Sequence, residues 1–263
     1  MKPILAMPMF DPKGNLFPHL KKITVQLKGL FKTAVISISP SMQEAQKEYV
    51  HWCKGDPFFH IVYLPDQLPV GKEFAILYQR AAERASPDQG IHLAYIDRVA
   101  FALQSDYAAQ FQSDIRELKA ESLPLCFERS PTAWETHPQN YHALEGMATK
   151  AGELLFGKRL DFGWCHLVVQ GKELRRIMPH VHSSGIDMVA EMMLLLKNDI
   201  QNKEVDWLAW EDPFIEGTDA AELKAEREKS RDETQKRLSY VVSALQMISD
   251  AANSERRIQC PTV

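Results

Sequence analysis

At 263 residues and 45% hydrophobic content, the chain is long enough to bury a substantial core as one large domain, with or without an appended helical piece. Its 31 basic and 35 acidic side chains leave a net charge of −4, so no global basic field points to nucleic acid or to an anionic membrane surface. No run approaches the roughly 18 apolar residues of a membrane span, and "MKPILAMPMF" is too short and too broken by proline for a secretory leader, so a cytoplasmic globular protein is expected.

The first half alternates short apolar runs with helical spacing, the pattern of βαβ units. "PILAMPMF" (3–10) predicts a strand closed by the turn "DPKGN", and residues 16–31 predict a helix from the spacing of Leu20, Ile23, Leu27 and Leu30. The β-branched "TAVISIS" (33–39) predicts a second strand. Ser41, with Glu44 three residues on, reads as a capping box for a helix over 41–55. "FFHIVYLP" (58–65) is expected as a third strand and "GKEFAILYQRAAERA" (71–85) as a third helix. "IHLAYI" (91–96) then brings Asp97 to the carboxyl end of the sheet, where open α/β folds bind ligands.

Beyond Asp97, helices are expected over 106–118, 140–157 and 185–200, and strands at "LPLCFER", at "WCHLVVQGKEL" before a turn, and at "VDWLAWEDPF". From Asp219 to about Ala252 the pattern is one long helix of two kinds. Residues 221–237 hold 5 acidic and 6 basic side chains, a solvated face. Leu238, Val241, Leu245 and Ile248 then form an apolar stripe that must dock, on the parent domain or as a homodimer contact through the C-terminal helix. The division is thus a main α/β unit over 1–217 and a helical extension over 218–263. Its central sheet is expected to be mainly parallel, Rossmann-like, with helices on both faces.

Several residues carry chemistry in this frame, each beside a plainer reading. Asp97 and Arg98 interrupt two apolar runs, as a ligand site or as charges paired to fix the loop. Lys72 opens a helix where it could face a phosphate, or remain solvated. Arg129, directly after a β run, could meet a substrate oxyanion or pair with Glu128 or Glu145. Trp134 could stack on a sugar or pack beneath its own loop. His180 and His182, at i,i+2, would share one face if they lay on a strand, and could then bind a metal. Asp187 stands where a helix would begin and could cap it, or serve, with the nearby Glu191 as a lesser candidate, as an acid that takes a proton. Glu211 and Asp212 form a second acidic pair or, before Pro213, a turn. Cys53, Cys126, Cys165 and Cys260 have no C-x-x-C or His/Cys spacing and read as reduced thiols.

The order of these patterns, "FDPKGN" after strand one, "PVGKEFAILYQRA" before a strand ending "YIDR", then "FERSPTAWETHP", a helix with Glu145, and "WED", resembles the GT-A type nucleotide-diphospho-sugar transferase superfamily. More narrowly it is similar to a group of bacterial glycosyltransferase-like proteins, over roughly residues 3 to 215. The resemblance implies a D-x-D type motif whose carboxylates hold a divalent cation, Mg²⁺ or Mn²⁺, against the donor diphosphate. Aligned so, the last acid is Asp97 and Tyr95 stands where the first would be. One acid, phosphate oxygens and water can suffice for such a cation.

The same resemblance implies that Asp11 contacts the base or ribose, that a late histidine such as His182 completes the metal site, and that Asp187 is the general base toward an acceptor hydroxyl. Arg98 would add permanent charge against the diphosphate. The expected function is transfer of a sugar from a nucleotide-diphosphate donor to an unidentified acceptor. The alternative is a non-catalytic protein of the same fold that binds a nucleotide or a protein partner.

Overall fold

The computed structural model describes residues 1–11, 13–65, 68–162 and 166–259, except for the side chains of 254–259. The first βα units follow the expected periods: β1 (Ile4–Pro8), α1 (Leu16–Leu30), β2 (Thr33–Ile38), α2 (Pro40–Ala45), α3 (Lys47–Gly55), β3 (Phe59–Tyr63), α4 (Val70–Arg84) and β4 (Gly90–Leu93). Next come α5 (Ile96–Gln104), α6 (Ala108–Arg116), β5 (Leu125–Arg129), α7 (Pro131–Thr136), α8 (Gln139–Phe156), β6 (Leu167–Gln170) and α9 (Gly171–Ile177). The chain continues through α10 (Met188–Leu196), β7 (Gln201–Val205), α11 (Asp212–Glu216), α12 (Ala220–Lys229) and α13 (Arg231–Gln259).

Among the described residues these strands form one seven-stranded mixed sheet in the order β3-β2-β1-β4-β6-β5-β7. Strands β3, β2, β1 and β4 run parallel, with Ile4 opposite both Thr33 and Ile91. β6 alone of the seven runs against its neighbours, β4 and β5, and β7 pairs parallel with β5. After β1 the chain builds outward through β2 and β3, then returns by α4 to place β4 on the other side of β1. The β1/β4 boundary is therefore a topological switch point.

Both faces of the sheet are covered, which is why its central strands read as continuous apolar runs. Alternate residues divide between two cores. Ile4, Ala6 and Val35 face a core with Phe74 and Leu77 of α4, Ala148 of α8, Met188 of α10 and Val241 of α13. Leu5, Met7 and Ile36 face Leu20 and Leu27 of α1, Val99 of α5 and Phe111 of α6.

The structure moves several expected boundaries. The helix after β2 is capped by Ser39, not Ser41: Pro40 occupies its first turn and the Ser39 hydroxyl accepts from the Met42 N–H. The polypeptide after β6 enters α9 rather than a turn. Only Val205 of "VDWLAWEDPF" belongs to β7; the rest runs through a 3₁₀ turn at Asp206–Leu208 into α11, where Pro213 favours a helix start. His180 ends a 3₁₀ turn and His182 follows in irregular chain, so the strand geometry that would align the two imidazoles is absent there. Pro12 of the first turn, Trp164 and Cys165 before β6, and Cys260 lie outside the described residues. Cys53 and Cys126 are buried thiols, and burial pushes Cys53 up to about 12.

The tail is two helices that part at Ser230. Asp219 caps α12 by accepting the N–H groups of Ala221 and Glu222, and only Leu223 of that charge-dense helix is buried. α13 docks on the chain's own core through Val241, Ala244 and Ile248, while Leu238 stays 45% exposed. No helix among the described residues is long and apolar enough to cross a membrane.

Candidate functional site

A cleft of about 790 Å³ opens at the carboxyl ends of β1, β2 and β4, at the switch point. Met9 and Phe10 after β1, Ser39 after β2, Glu73 and Phe74 of α4, and Tyr95 and Asp97 after β4 contribute to its walls. Phe10 is 74% exposed, an unusual placement for a large aromatic side chain beside an open cavity. The head of α4 is held by close backbone approach: the Gly71 N–H donates to the Ser184 carbonyl (2.9 Å), and a Cβ on Gly71 would come within 2.5 Å of the Gly185 carbonyl oxygen.

Asp97 lies in the first turn of α5. Its Oδ1 accepts the Arg98 N–H at 2.8 Å, which places the carboxylate at a helix N-terminus and fixes one oxygen. Burial raises the Asp97 pKa, opposed by the adjacent Arg98. Glu73, half-buried in the first turn of α4, is raised for the same reason. The cleft thus holds two carboxyl groups, two serine hydroxyls and aromatic walls, and no basic side chain among the described residues lines it.

The other residues singled out in the sequence lie as follows. Asp11 shares the carboxyl edge with Asp97, but its carboxylate is turned inward, where Oδ1 accepts from the Asn15 N–H (2.7 Å) and Oδ2 from those of Leu16 and Phe17 (2.8 and 2.9 Å). It closes the first turn of α1. Arg98 points beneath the cleft; its guanidinium is paired with the buried Glu211 and donates to the Ala209 carbonyl (3.2 Å). Arg129 is fully buried, with Nε and Nη2 forked onto Asp161 (3.0 and 2.9 Å) and Nη2 also 2.7 Å from Glu145. Its Cζ lies 3.4 Å from the Trp134 ring centroid, so Trp134 packs beneath its own segment.

Lys72 Nζ donates to the His182 carbonyl (3.1 Å), and the His182 N–H donates to Glu191 (2.9 and 3.1 Å). These bonds tie the loop before α10 to α4 and to α10 itself. The His182 residue is exposed, and no group of three or more His, Cys, Asp or Glu side chains suited to a metal occurs among the described residues.

Asp187 precedes α10 without capping it. It lines a second, small cavity of about 40 Å³, room for about one water, together with Glu145, Arg237, Tyr240 and Tyr95. Tyr95 lines both cavities, that of Asp97 and that of Asp187. Glu73 is a cleft residue outside the candidates named from the sequence. Its signal was an acid in the first turn of a helix that starts at the ligand-binding edge. Asp161, the partner of Arg129, has no local pattern that marks it.

No protein-family model matches the chain, and no curated protein matches it significantly.

Proposed function

We propose that the protein binds a nucleotide-diphosphate sugar in the cleft at the β1/β4 switch point and transfers the sugar to an acceptor, as a member of the GT-A type superfamily that its sequence resembles. The observation that carries this reading is the position of Asp97: a residue whose carboxylate accepts a helix N–H through Oδ1 and that lines a cleft at the carboxyl edge of a parallel βαβ half-sheet. That edge is where open α/β sheets bind nucleotides. Phe10, Phe74 and Tyr95 supply surfaces on which a base or sugar ring can stack.

With no basic side chain on the described lining, a diphosphate needs another counter-charge. A Mg²⁺ or Mn²⁺ ion held by Asp97, phosphate oxygens and water would supply it, because such ions bind through one or two carboxylates plus the substrate's own oxygens. Glu73, which also lines the cleft, is the second carboxyl group available to it where Tyr95 stands in place of an acid. Asp187, beyond Tyr95, is the candidate to take the proton from an acceptor hydroxyl if the transfer inverts configuration.

A second reading, a nucleotide-binding protein without turnover, is favoured by the engagement of Arg98 and Arg129 in internal ion pairs, which removes them from stabilising a leaving diphosphate. A thermal-shift panel of nucleotide sugars with and without Mn²⁺ tests the binding claim. A ligand at about 100 times its Kd stabilises by roughly 2.7 kcal/mol. A shift that requires both nucleotide sugar and Mn²⁺ supports the cation-bridged site, and release of the free nucleoside diphosphate on adding acceptor extracts separates turnover from binding alone.

A further inference from the structure

A pocket of about 290 Å³ lies between β5 and α8 and shares no lining residue with the Asp97 cleft. Glu128 of β5 lines it and is 2% exposed. Its Oε1 accepts the Asp161 N–H at 3.0 Å, and no donor among the described residues meets Oε2. That oxygen is not sealed from the pocket, so a cation entering there can pair with a carboxylate that is otherwise nearly out of water.

The charges around Glu128 are otherwise matched. Asp161 is held by Arg129 at 2.9 Å, and Glu204, directly across from Glu128 on β7, is held by Arg159 at 3.1 Å. On α8, Glu153 is held by Lys150 at 2.8 Å. His142 of the same helix stacks on Trp134, with ring centroids 4.7 Å apart, and Thr149 adds a hydroxyl to the wall.

We propose that this pocket is a binding subsite for a small protonated amine, with the Glu128 carboxylate as its counter-ion. An ammonium group is satisfied by one carboxylate and a neighbouring hydroxyl, both of which this wall supplies. A bare divalent cation needs several oxygen ligands, and no cluster of three or more suitable side chains is present among the described residues. Burial first, then the negative charge of Asp161 and Glu204, raises Glu128 to about 7, with Arg159 opposing. The cation therefore competes with a proton, and affinity follows the ionised fraction of Glu128.

The test is calorimetric titration of the full chain with ethanolamine as the probe. Binding is expected at pH 8 and is expected to weaken about tenfold at pH 6, as the ionised fraction of a group with a pKa near 7 falls. Glu128→Gln keeps the shape, removes the charge and should abolish binding at both pH values. Undiminished binding to that variant, pH-independent binding, or heat from CaCl₂ with none from ethanolamine would each overturn the proposal. If Glu128→Gln fails to fold, carboxyl-carbon NMR of the parent protein decides: ethanolamine should lower the Glu128 titration midpoint, and an unmoved midpoint overturns the assignment.

Discussion

Arg129 and Asp161 form a buried forked pair in which two guanidinium nitrogens meet two carboxylate oxygens at 3.0 and 2.9 Å. The pair is the centre of a wider chain of charges. Glu145 joins Arg129 on one side and Arg237 of α13 on the other, at 2.7 and 2.9 Å. Arg237 in turn lies 3.9 Å over the Tyr141 ring, whose hydroxyl donates to Glu233. The end of β5, the middle of α8 and the start of α13 are thereby fixed to one another.

Removing one member of this network leaves an uncompensated buried charge. Asp161→Ala should lower the unfolding free energy by about 3 to 5 kcal/mol, read from urea denaturation at neutral pH. Because neighbouring members share partners, the loss in Asp161→Ala/Glu145→Gln should differ from the sum of the single losses. A single-variant loss below about 1 kcal/mol would mean that the pair is solvated, contrary to its burial.

The docking of α13 makes a paired prediction. Ile248 is 1% exposed and Val242 is 56% exposed. Ile248→Ala should cost about 2 to 5 kcal/mol, whereas Val242→Ala should stay within about 0.5 kcal/mol. Equal melting temperatures for the two variants would show that the helix does not bury the face described.

Acid sensitivity follows from the buried histidines. Burial holds the His92 imidazole neutral, with its pKa drawn down to about 3. The unfolded chain takes up this proton near pH 6.5 and the folded chain does not, so stability falls as pH drops from about 6.5 toward 3, by up to about 1.4 kcal/mol per pH unit. His137 and His166, also lowered by burial, act in the same direction. Glu128 acts oppositely: its pKa is raised to about 7, so the stability it contributes is present below the unfolded value of 4.5 and lost as pH rises toward 7. His92→Phe isolates one contribution. Between pH 6 and 4 its stability should depend less steeply on pH than the parent's, by about 1.4 kcal/mol per unit, and an identical slope would contradict the neutral, buried His92.

Much of the architecture was legible because it is written locally. The spacing of Leu20, Ile23 and Leu27 is one face of α1, the β-branched run at 33–38 is β2, and the end of "IHLAYI" leads Asp97 into the mouth of the sheet. The reversal of β6 between β4 and β5 was not legible, since nothing in "HLVVQ" encodes the direction of the strands beside it. The fate of the arginines was hidden for the same reason. Arg129 was read with Glu145 as one of its candidate partners, but Asp161 lies 32 residues along the chain with no periodic signal linking them. Glu211, which pairs with Arg98, was read only as part of a local acidic pair. Asp11 was read both as a ligand contact and as a turn former, and the three backbone N–H groups it accepts give the turn its physical basis.

The most direct test of nucleotide-sugar binding at the switch point is a calorimetric comparison of the parent protein with Asp97→Asn, titrated with a nucleotide-diphosphate sugar in the presence and absence of Mn²⁺. The amide preserves the shape of the side chain and can still accept the Arg98 N–H, so the variant should fold with an unchanged melting temperature. It should lose the Mn²⁺-dependent component of binding, and Tyr95→Asp, which adds a second acid at the same strand end, should bind Mn²⁺ more tightly than the parent. Mn²⁺-dependent binding that survives in Asp97→Asn, or no metal binding in either the parent or Tyr95→Asp with any nucleoside diphosphate, would contradict a cation site at Asp97.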